Sequence, residues 1–157
     1  MLDKPKVAVY CRVASANDFA ITKQEETLCN YASDNGLPVV MVYSDNGANG
    51  LSFDRPAFQE MMAAVEGGEL DCIISNDISR ISRSHLHFGK WIDDMLSKNV
   101  RIILVGDNFD SKTYRFQHAP FEEAMMKYYK EAHSQKIKNG IAHAKRRRLE
   151  QAAKHSE

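Results

Sequence analysis

"AVYCRVASAND", residues 8 to 18, begins like a buried β-strand and ends in small and polar residues. Ala8, Val9 and Tyr10 suit the interior of a sheet, whereas Arg12 carries a permanent charge. The small residues after it predict that the strand stops here and that a turn or a helix begins. This stretch therefore places a guanidinium and the hydroxyl of Ser15 at the end of a strand.

The rest of the chain repeats this alternation of strand and helix. Such alternation predicts an α/β fold with a mostly parallel sheet of four to five strands flanked by helices. From residue 119 onwards helix formers dominate, and nearly 40 residues at about 1.5 Å each would make a helix of roughly 55 Å. One small domain cannot cover that length, so we expect a domain over 1–118 and a long projecting helix over 119–157. The predicted strands are 6–13, 37–44, 70–75 and 100–105, and the helices between them are 21–35, 55–66 and 85–98.

The composition of the 157 residues is that of a globular domain, with 43% hydrophobic and 27% charged residues. No stretch has the apolar length of a membrane span, and the N-terminus MLDKPK lacks the apolar run of a signal peptide, so we expect a cytoplasmic protein. Cys11, Cys29 and Cys72 lie in apolar stretches and are expected to be buried free thiols. The absence of HExxH and CxxC motifs predicts no metal site.

The net charge of zero conceals an asymmetry. Residues 134–157 hold seven basic and two acidic side chains, and the other 133 residues hold fourteen basic and nineteen acidic ones. A basic tail indicates a polyanionic partner such as nucleic acid, although a solvated helix explains the same charges equally well.

Charged side chains also collect where the predicted strands end. Arg12 ends the first strand, Asp45 ends the second, and the loop after Asp45 carries Arg55. The third strand runs into NDISRISRS, residues 76–84, with Asp77, Arg80 and Arg83. Since the carboxyl ends of parallel strands meet at one edge, four arginines and two carboxylates should converge there.

The convergence of four arginines is costly unless an anion binds among them. Two guanidiniums about 5 Å apart repel by roughly 3 kcal/mol at an effective dielectric near 20, and arginine is well suited to phosphate oxygens. The alternative is that Arg12 and Arg55 pair with Asp45 and Asp77 while Arg80 and Arg83 lie on the surface.

Several phosphate chemistries are excluded by their motifs. No GxxxxGK is present, a cysteine phosphatase loop after Cys11 would need arginine where Asn17 stands, and the glycines of DNGANG match no dinucleotide fingerprint. Two carboxylates are few for a metal-dependent nuclease. What is left is metal-free chemistry in which arginines neutralise a phosphodiester and a side-chain hydroxyl attacks it.

The motifs YCRVAS, QEETLCNYASDNG, YSDNGANGLSFDRPAF, GELDCIISNDISRISRS and SQKIKNG resemble the resolvase/invertase family in order and spacing. This family comprises the serine recombinases, and the likeness, over residues 5–145, is to the N-terminal catalytic domain of the large transposon-type members. The resemblance implies an α/β catalytic domain followed by a long helix for subunit and DNA contacts. It also implies that a serine attacks the scissile phosphate, forms a 5′-phosphoseryl linkage and frees a 3′-hydroxyl, in a tetramer and without metal or nucleotide cofactor.

The resemblance also assigns roles position by position. Arg12, Arg80 and Arg83 would clamp the phosphate, Arg55 would stabilise charge on the transferring oxygens, and Asp45 would orient an arginine. Supporting positions are Tyr10, Gln24 and Lys136, the last where the family often has arginine. The DNA backbone contacts would come from Lys136, Lys138, Lys145, Arg146, Arg147 and Arg148.

The nucleophile position departs from the family pattern, because Ala14 stands where the family has serine and Ser15 follows it. Three interpretations stay open: Ser15 acts through a local shift, the chain is an inactive relative that still binds DNA or subunits, or Ala14 replaces a natural serine by engineering. A one-residue offset turns a strand side chain to the other face, which opposes Ser15. The irregular residues 16–18 favour it.

We therefore predict the catalytic domain of a site-specific DNA recombinase, with an inactive DNA-binding or assembly module of the same fold as the alternative. Double-stranded DNA is the expected partner, the chain is expected to form a homodimer and, in a synaptic complex, a tetramer, and no membrane is involved. A separate C-terminal DNA-binding domain is expected to be missing after RRRLEQAAKHSE. A receiver-like domain with Asp45 as its acidic centre would explain neither the arginines nor the long helix.

Overall fold

The computed structural model describes residues 4–113 and 121–154. Five strands form one sheet in the order β2-β1-β3-β4-β5, in which β1 to β4 are parallel and β5 is antiparallel to β4. The elements in chain order are β1 (Val7–Val13), α1 (Asp18–Asp34), β2 (Val39–Asn46), α2 (Pro56–Glu66), β3 (Cys72–Ser75), α3 (Ile78–Ile81), α4 (His85–Ser97), β4 (Arg101–Leu104), β5 (Phe109–Asp110) and α5 (Phe121–Lys154).

The predicted fold class, a mostly parallel sheet flanked by helices with a helix at the C-terminal end, is confirmed. Two elements were not predicted. Helix α3 has four residues and strand β5 has two, and elements this short carry no hydrophobic periodicity. The second strand also continues to Asn46, so Asp45 lies within β2 rather than in the loop after it.

The two faces of β1 pack against different helices. Val9, Cys11 and Val13 belong to a buried cluster with Ile21 and Leu28 of α1. Because strand side chains alternate, Tyr10 and Arg12 point to the opposite face. There the ring of Tyr10 packs edge-on against Phe58 of α2, with 5.3 Å between centroids. Arg12 is therefore an interior residue of the sheet and not a residue beyond its end.

Strand β1 extends beyond its neighbour β3 at the carboxyl end. It pairs with β2 as far as Val13, but it pairs with β3 only from Val7 to Val9. Two carbonyls beyond this pairing, those of Tyr10 and Arg12, are bound by side chains. Ser75 Oγ donates to the Tyr10 carbonyl at 2.8 Å, and Gln24 Nε2 donates to the Arg12 carbonyl at 3.1 Å. Beyond Val9, β1 therefore has no paired strand on its β3 side.

Two of the three cysteines are buried as predicted, while Cys29 is half-buried. Burial raises the pKa of the Cys11 and Cys72 thiols to about 12. Both thiols are therefore protonated at neutral pH, which makes them poor nucleophiles.

The chain divides into two compact units, residues 1–117 and 118–157. The second unit contains α5, a helix of 34 residues that spans about 51 Å at about 1.5 Å per residue. Ile137, Ile141 and Leu149 are at least half exposed on it. No helix of the described residues is long and apolar enough to cross a membrane. The side chains of Phe121, Ala124, Met125, Tyr128 and Ala132, whose spacing predicted an apolar face, lie outside the described residues.

The packing of α1 on β1 leads to a first prediction. Leu28 is fully buried in the cluster, so Leu28→Ala should lower the free energy of unfolding by about 2 to 5 kcal/mol, through lost apolar burial and the cavity left behind. Leu86→Ala is the matched control, because Leu86 is 54% exposed and its loss should cost under about 0.5 kcal/mol. Urea unfolding followed by circular dichroism measures both. Equal effects of the two substitutions would contradict the described core.

Candidate functional site

The guanidinium of Arg12 binds main-chain carbonyl oxygens. Nε donates to Arg80 O at 3.2 Å, Nη1 to Ala48 O at 2.6 Å and Nη2 to Ser79 O at 2.8 Å. The side chain is fully buried. The resemblance implied a phosphate clamp, whereas in the structure this guanidinium joins the end of β1 to the loop after β2 and to α3.

The charge of Arg12 is partly desolvated and lies close to other cations. Burial is the main cause that lowers the pKa of this guanidinium, and the nearby charges of Arg55, Arg83 and Arg80 lower it further. The carbonyl oxygens around it offset part of the cost of burying the charge.

Gly50 makes room for two of the arginines. A β-carbon at this position would lie 2.7 Å from Nη2 of Arg12 and 3.0 Å from Cγ of Arg83. The carbonyl of Gly50 also accepts a hydrogen bond from the Arg83 amide at 2.8 Å. Any side chain at position 50 would therefore displace one or both arginines.

Arg55 and Asp45 are connected through a tyrosine hydroxyl. Tyr10 Oη donates to Asp45 Oδ2 at 2.7 Å and accepts from Arg55 Nη1 at 2.8 Å. Arg55 also donates to the carbonyls of Arg80 and Ile81. Burial, the largest cause, raises the pKa of Tyr10, so its hydroxyl stays protonated and can act as this bridge. Burial likewise lowers the pKa of Arg55, whereas its interactions with Tyr10 and Asp45 raise it.

Asp45 caps a helix rather than contacting an arginine directly. Its Oδ1 accepts from the Ala57 amide and its Oδ2 from the Phe58 amide, both at 3.0 Å. These amides belong to the first turn of α2, where Pro56 stands without an N–H and Arg55 provides no side-chain cap. A carboxylate at a helix N-terminus is favourable. The resemblance implied that Asp45 orients an arginine, and the path from it to Arg55 runs through Tyr10.

Arg80 and Arg83 are the accessible members of the cluster. The Arg80 side chain is 29% exposed, its Nη1 donates to the Arg12 carbonyl at 2.9 Å, and its Nε lies 3.7 Å from Asp77 Oδ2. Arg83 is exposed. Among the buried side-chain nitrogens of the described residues, Nε of Arg55 and Nε of Arg80 have no hydrogen-bond partner.

The four arginines thus surround one region at the carboxyl end of β1, with two of them inside and two at the surface. The alternative prediction was that Arg12 and Arg55 pair with Asp45 and Asp77. In the structure, both guanidiniums donate to main-chain carbonyls instead. Asp45 binds Tyr10 and α2, while Asp77 lies beside Arg80.

The turn after β1 carries Ala14 and Ser15, and both are exposed. β1 ends at Val13, whose carbonyl accepts from the amides of Gly47 and Ala48 at 2.9 and 3.0 Å. Gly47 has φ +89, and a β-carbon there would lie 3.2 Å from Ala16 Cβ. Residues 14–17 are therefore irregular backbone, and the strict alternation of a strand does not extend to Ser15.

The hydroxyl of Ser15 differs from the other serine hydroxyls nearby. Ser75 Oγ donates to Tyr10 O, Ser79 Oγ to Asp77 and Ser82 Oγ to Ser84 O. Within the described part of the chain no hydrogen bond engages Ser15. Its hydroxyl is therefore available to a ligand at this surface.

Of the remaining predicted residues, Gln24 supports the backbone of this cluster and the others belong to the second unit. Gln24 binds both main-chain groups of Arg12, since its Oε1 also accepts from the Arg12 amide at 3.4 Å. The predicted DNA contacts lie on the second unit, where they are all exposed: Lys136, Lys138, Lys145, Arg146, Arg147 and Arg148.

Sequence reasoning missed the part played by Gly50 and by the carbonyls of Ala48 and Ser79. Every residue carries a main-chain carbonyl, so the spacing of residue types cannot show which carbonyls will bind a side chain. A glycine between a polar loop and an arginine-rich segment was the available signal for close packing.

Comparisons with known proteins identify the family and the fold of this chain. A family model described as Resolvase, N terminal domain, matches residues 7–150. The fold is similar to the N-terminal catalytic domain of TP901-1 integrase, at 24% identity and TM-score 0.68 over 85% of this chain and 98% of that one. It is also similar to a resolvase family site-specific recombinase from Streptococcus pneumoniae, at 22% identity and TM-score 0.67 over 90% and 99% of the two chains.

A third similar structure is the C-terminal catalytic domain of ISC1926 TnpA, an IS607-like serine recombinase, at 29% identity and TM-score 0.58 over 64% of this chain and 68% of that one. The family match covers most of the chain and confirms the resemblance read from the sequence. The chain therefore belongs to the resolvase family, whose N-terminal domain it matches over most of its length, and its fold is that of recombinase catalytic domains.

Proposed function

We propose that this domain cleaves and rejoins DNA strands at a specific site, with Ser15 as the nucleophile. The observation that carries the proposal is the exposed, unengaged hydroxyl of Ser15 on irregular backbone three residues after Arg12. Because residues 14–17 are not part of a paired strand, a serine one position later than the family pattern is not forced to the wrong face.

The proposed step is a transesterification. Ser15 Oγ loses its proton and forms a bond to phosphorus, and the bond from phosphorus to the 3′ oxygen breaks. The products are a 5′-phosphoseryl linkage and a 3′-hydroxyl, which gains the proton. The reverse step rejoins a strand, so the phosphodiester bond energy is conserved in the seryl ester and no further reactant is consumed.

Arg80 and Arg83 are the proposed phosphate ligands, because they are the accessible arginines. Arg80 binds the carbonyl of Arg12, only three residues before Ser15. Arg12 and Arg55 are proposed as positioning residues, since their guanidiniums face protein oxygens. In this arrangement the inner arginines fix the backbone of α3 from which Arg80 extends.

The alternative is that the domain binds DNA or other subunits without cleaving. The observation in its favour is Ala14, which matches the family nucleophile position and has no hydroxyl. The fold, the arginine cluster and the helix α5 would then serve binding and assembly alone.

We also propose that α5 contacts the DNA backbone and a second subunit. Its basic side chains are exposed, and Ile137 and Ile141, one helical turn apart, are exposed beside them. Exposed isoleucines at this spacing suit a helix-to-helix contact in a homodimer, and two dimers on DNA would make the tetramer.

The nucleophile is tested by exchanging the hydroxyl between positions 14 and 15. With a cognate site that carries a strand-trapping nick, wild-type protein should form a covalent protein–DNA adduct on a denaturing gel. Ser15→Ala should abolish the adduct, because position 14 offers no hydroxyl. If the alternative is correct, wild type gives no adduct and Ala14→Ser gains one. An adduct that persists in Ser15→Ala would exclude Ser15.

Substitution of Gly50 tests the arrangement of the arginines. Gly50→Ala should lower the cleavage rate by about a hundredfold, because the new methyl group displaces Arg12 and Arg83. Gly67→Ala is the control, since Gly67 has φ −75 and a β-carbon there would make only ordinary contacts, the nearest at 3.4 Å from Glu69 Oε1. Single-turnover cleavage measures both variants, and a thermal melt shows whether Gly50→Ala is still folded. Unchanged cleavage in a folded Gly50→Ala would contradict the described packing.

The proposed DNA contacts of α5 predict a salt dependence. Arg147→Gln with Arg148→Gln should lower the slope of log affinity against log salt by about 2, one unit for each lost phosphate contact. Lys23→Gln, on the exposed surface of α1, should leave the slope unchanged. Fluorescence anisotropy with a DNA duplex at several salt concentrations provides the slopes. Equal slopes in all three proteins would argue against DNA contact by these arginines.

A further inference from the structure

A groove runs along the β2 edge of the sheet and encloses a cavity of about 1020 Å³. Its floor is the β2 segment from Met41 to Ser44. One wall comes from α1, with Glu25, Glu26 and Cys29, and the other from α2, with Ala57, Glu60 and Ala63. No residue of the arginine cluster lines it, so the groove is separate from the proposed cleavage site.

Strand β2 is open on the side that faces this groove. Among the described strands it pairs only with β1 and forms the edge of the sheet. Its eight residues, VVMVYSDN, include neither lysine nor proline, the residues that commonly block an edge against a further strand. Val40 and Met41 are more than half exposed. The edge therefore presents unpaired main-chain groups together with apolar side chains.

The charge of the groove is of one sign. Four glutamates line it, two from the α1 wall and two from the α2 side, and no lysine or arginine does: Glu25, Glu26, Glu60 and Glu69. Tyr43 lines the same groove as Glu60 and Glu69, and its pKa is raised by burial and then by the charges of these two glutamates. An occupant that carries positive charge on both of its faces would complement this lining.

We propose that the groove binds an extended, lysine- or arginine-rich segment of another protein, which adds to β2 as a sixth strand. An added strand lies about 4.8 Å from its neighbour and turns successive side chains to opposite faces. One set of side chains would therefore meet the carboxylates of α1 and the other those of α2. Apolar side chains between the basic ones would cover Met41 and Val42, and main-chain hydrogen bonds to β2 would supply the rest of the affinity.

Charge also decides against the two other occupants that this chain could meet. A second copy paired edge to edge through β2 would bring two sets of four glutamates together, which opposes association. DNA carries negative charge and is repelled by the same carboxylates. A basic polypeptide matches both the strand edge and the lining.

The experiment uses the full chain and a fluorescein-labelled peptide, Lys-Val-Thr-Lys-Val-Thr-Lys-Val, which places lysine on both faces of a strand. Anisotropy should show saturable binding at low salt. Binding should be lost for the peptide with glutamate in place of lysine, and for a version N-methylated at alternate residues. Hydrogen exchange should show new protection at β2 amides between Val40 and Ser44.

Charge reversal at the groove provides the matched variants. Glu60→Lys with Glu69→Lys should weaken peptide binding at least about tenfold, because two attractive charges become repulsive. Asp34→Lys with Asp93→Lys makes the same change in net charge on exposed positions of α1 and α4 outside the groove and should leave the affinity unchanged. Cleavage of a cognate DNA site should be the same in both variants as in wild type, which separates this proposal from the proposed recombinase activity.

Four results would overturn the proposal. They are no binding of the lysine peptide, equal binding of the N-methylated peptide, protection outside β2, and an affinity insensitive to reversal at Glu60 and Glu69. Displacement of the peptide by duplex DNA would identify a nucleic-acid surface instead. Self-association in sedimentation that disappears with the groove reversal would identify a second copy as the occupant. The N-methylated peptide keeps the test decisive even if the reversed variant fails to fold.

Discussion

The guanidinium of Arg12, buried among the carbonyl oxygens of Ala48, Ser79 and Arg80, is the interaction on which the carboxyl edge of the sheet depends. A buried charge is costly unless it is fully hydrogen-bonded, and three unpaired buried carbonyls would be costly as well. The Arg12 charge and the three carbonyls satisfy each other's hydrogen bonds. This is possible because Arg12 lies on the part of β1 that extends beyond its pairing with β3. The loop after β2 and helix α3 take their places around this one cation.

The second inner arginine follows the same logic with a different set of acceptors. Arg55 connects the start of α2 to the carbonyls of α3. The Tyr10 hydroxyl links Arg55 to Asp45, because it accepts a hydrogen bond from Arg55 and donates one to Asp45. Asp45 in turn holds the first turn of α2. Strands β1 and β2 and helices α2 and α3 are thus joined by polar contacts whose acceptors lie mostly on the backbone. The outer arginines, Arg80 and Arg83, stand on this support and keep contact with solvent.

The sequence predicted the class of fold well, because each long element carries its own periodicity and its own end signals. Pro56 in the first turn of α2 and the glycines after it are examples. Strand alternation also gave a signal that was not used. Tyr10 and Arg12 are two residues apart and lie on the same face of β1, so a buried tyrosine predicts a buried arginine. The acceptors of Arg12 could not be predicted, because a carbonyl oxygen is present at every position and only the folded chain selects three of them.

In the candidate site, too, some features follow from the sequence pattern and others depend on how the strands pair in the folded chain. The four arginines could be placed at one edge from topology alone, since parallel strands share a direction. Which two turn inward depends on the unequal lengths of β1 and β3, and four residues of β3 give little warning of where pairing stops. The freedom of Ser15 likewise depends on β1 ending at Val13.

The burial of Arg12 and Arg55 affects how genetic data on such domains are to be interpreted. A mutational screen that scores only lost recombination should rank both arginines with the proposed nucleophile, although both are buried and their replacement should destabilise the fold. A parallel measurement of protein abundance in the same cells distinguishes the two kinds of failure. Positions that lose recombination at full abundance then mark the surface that touches the substrate.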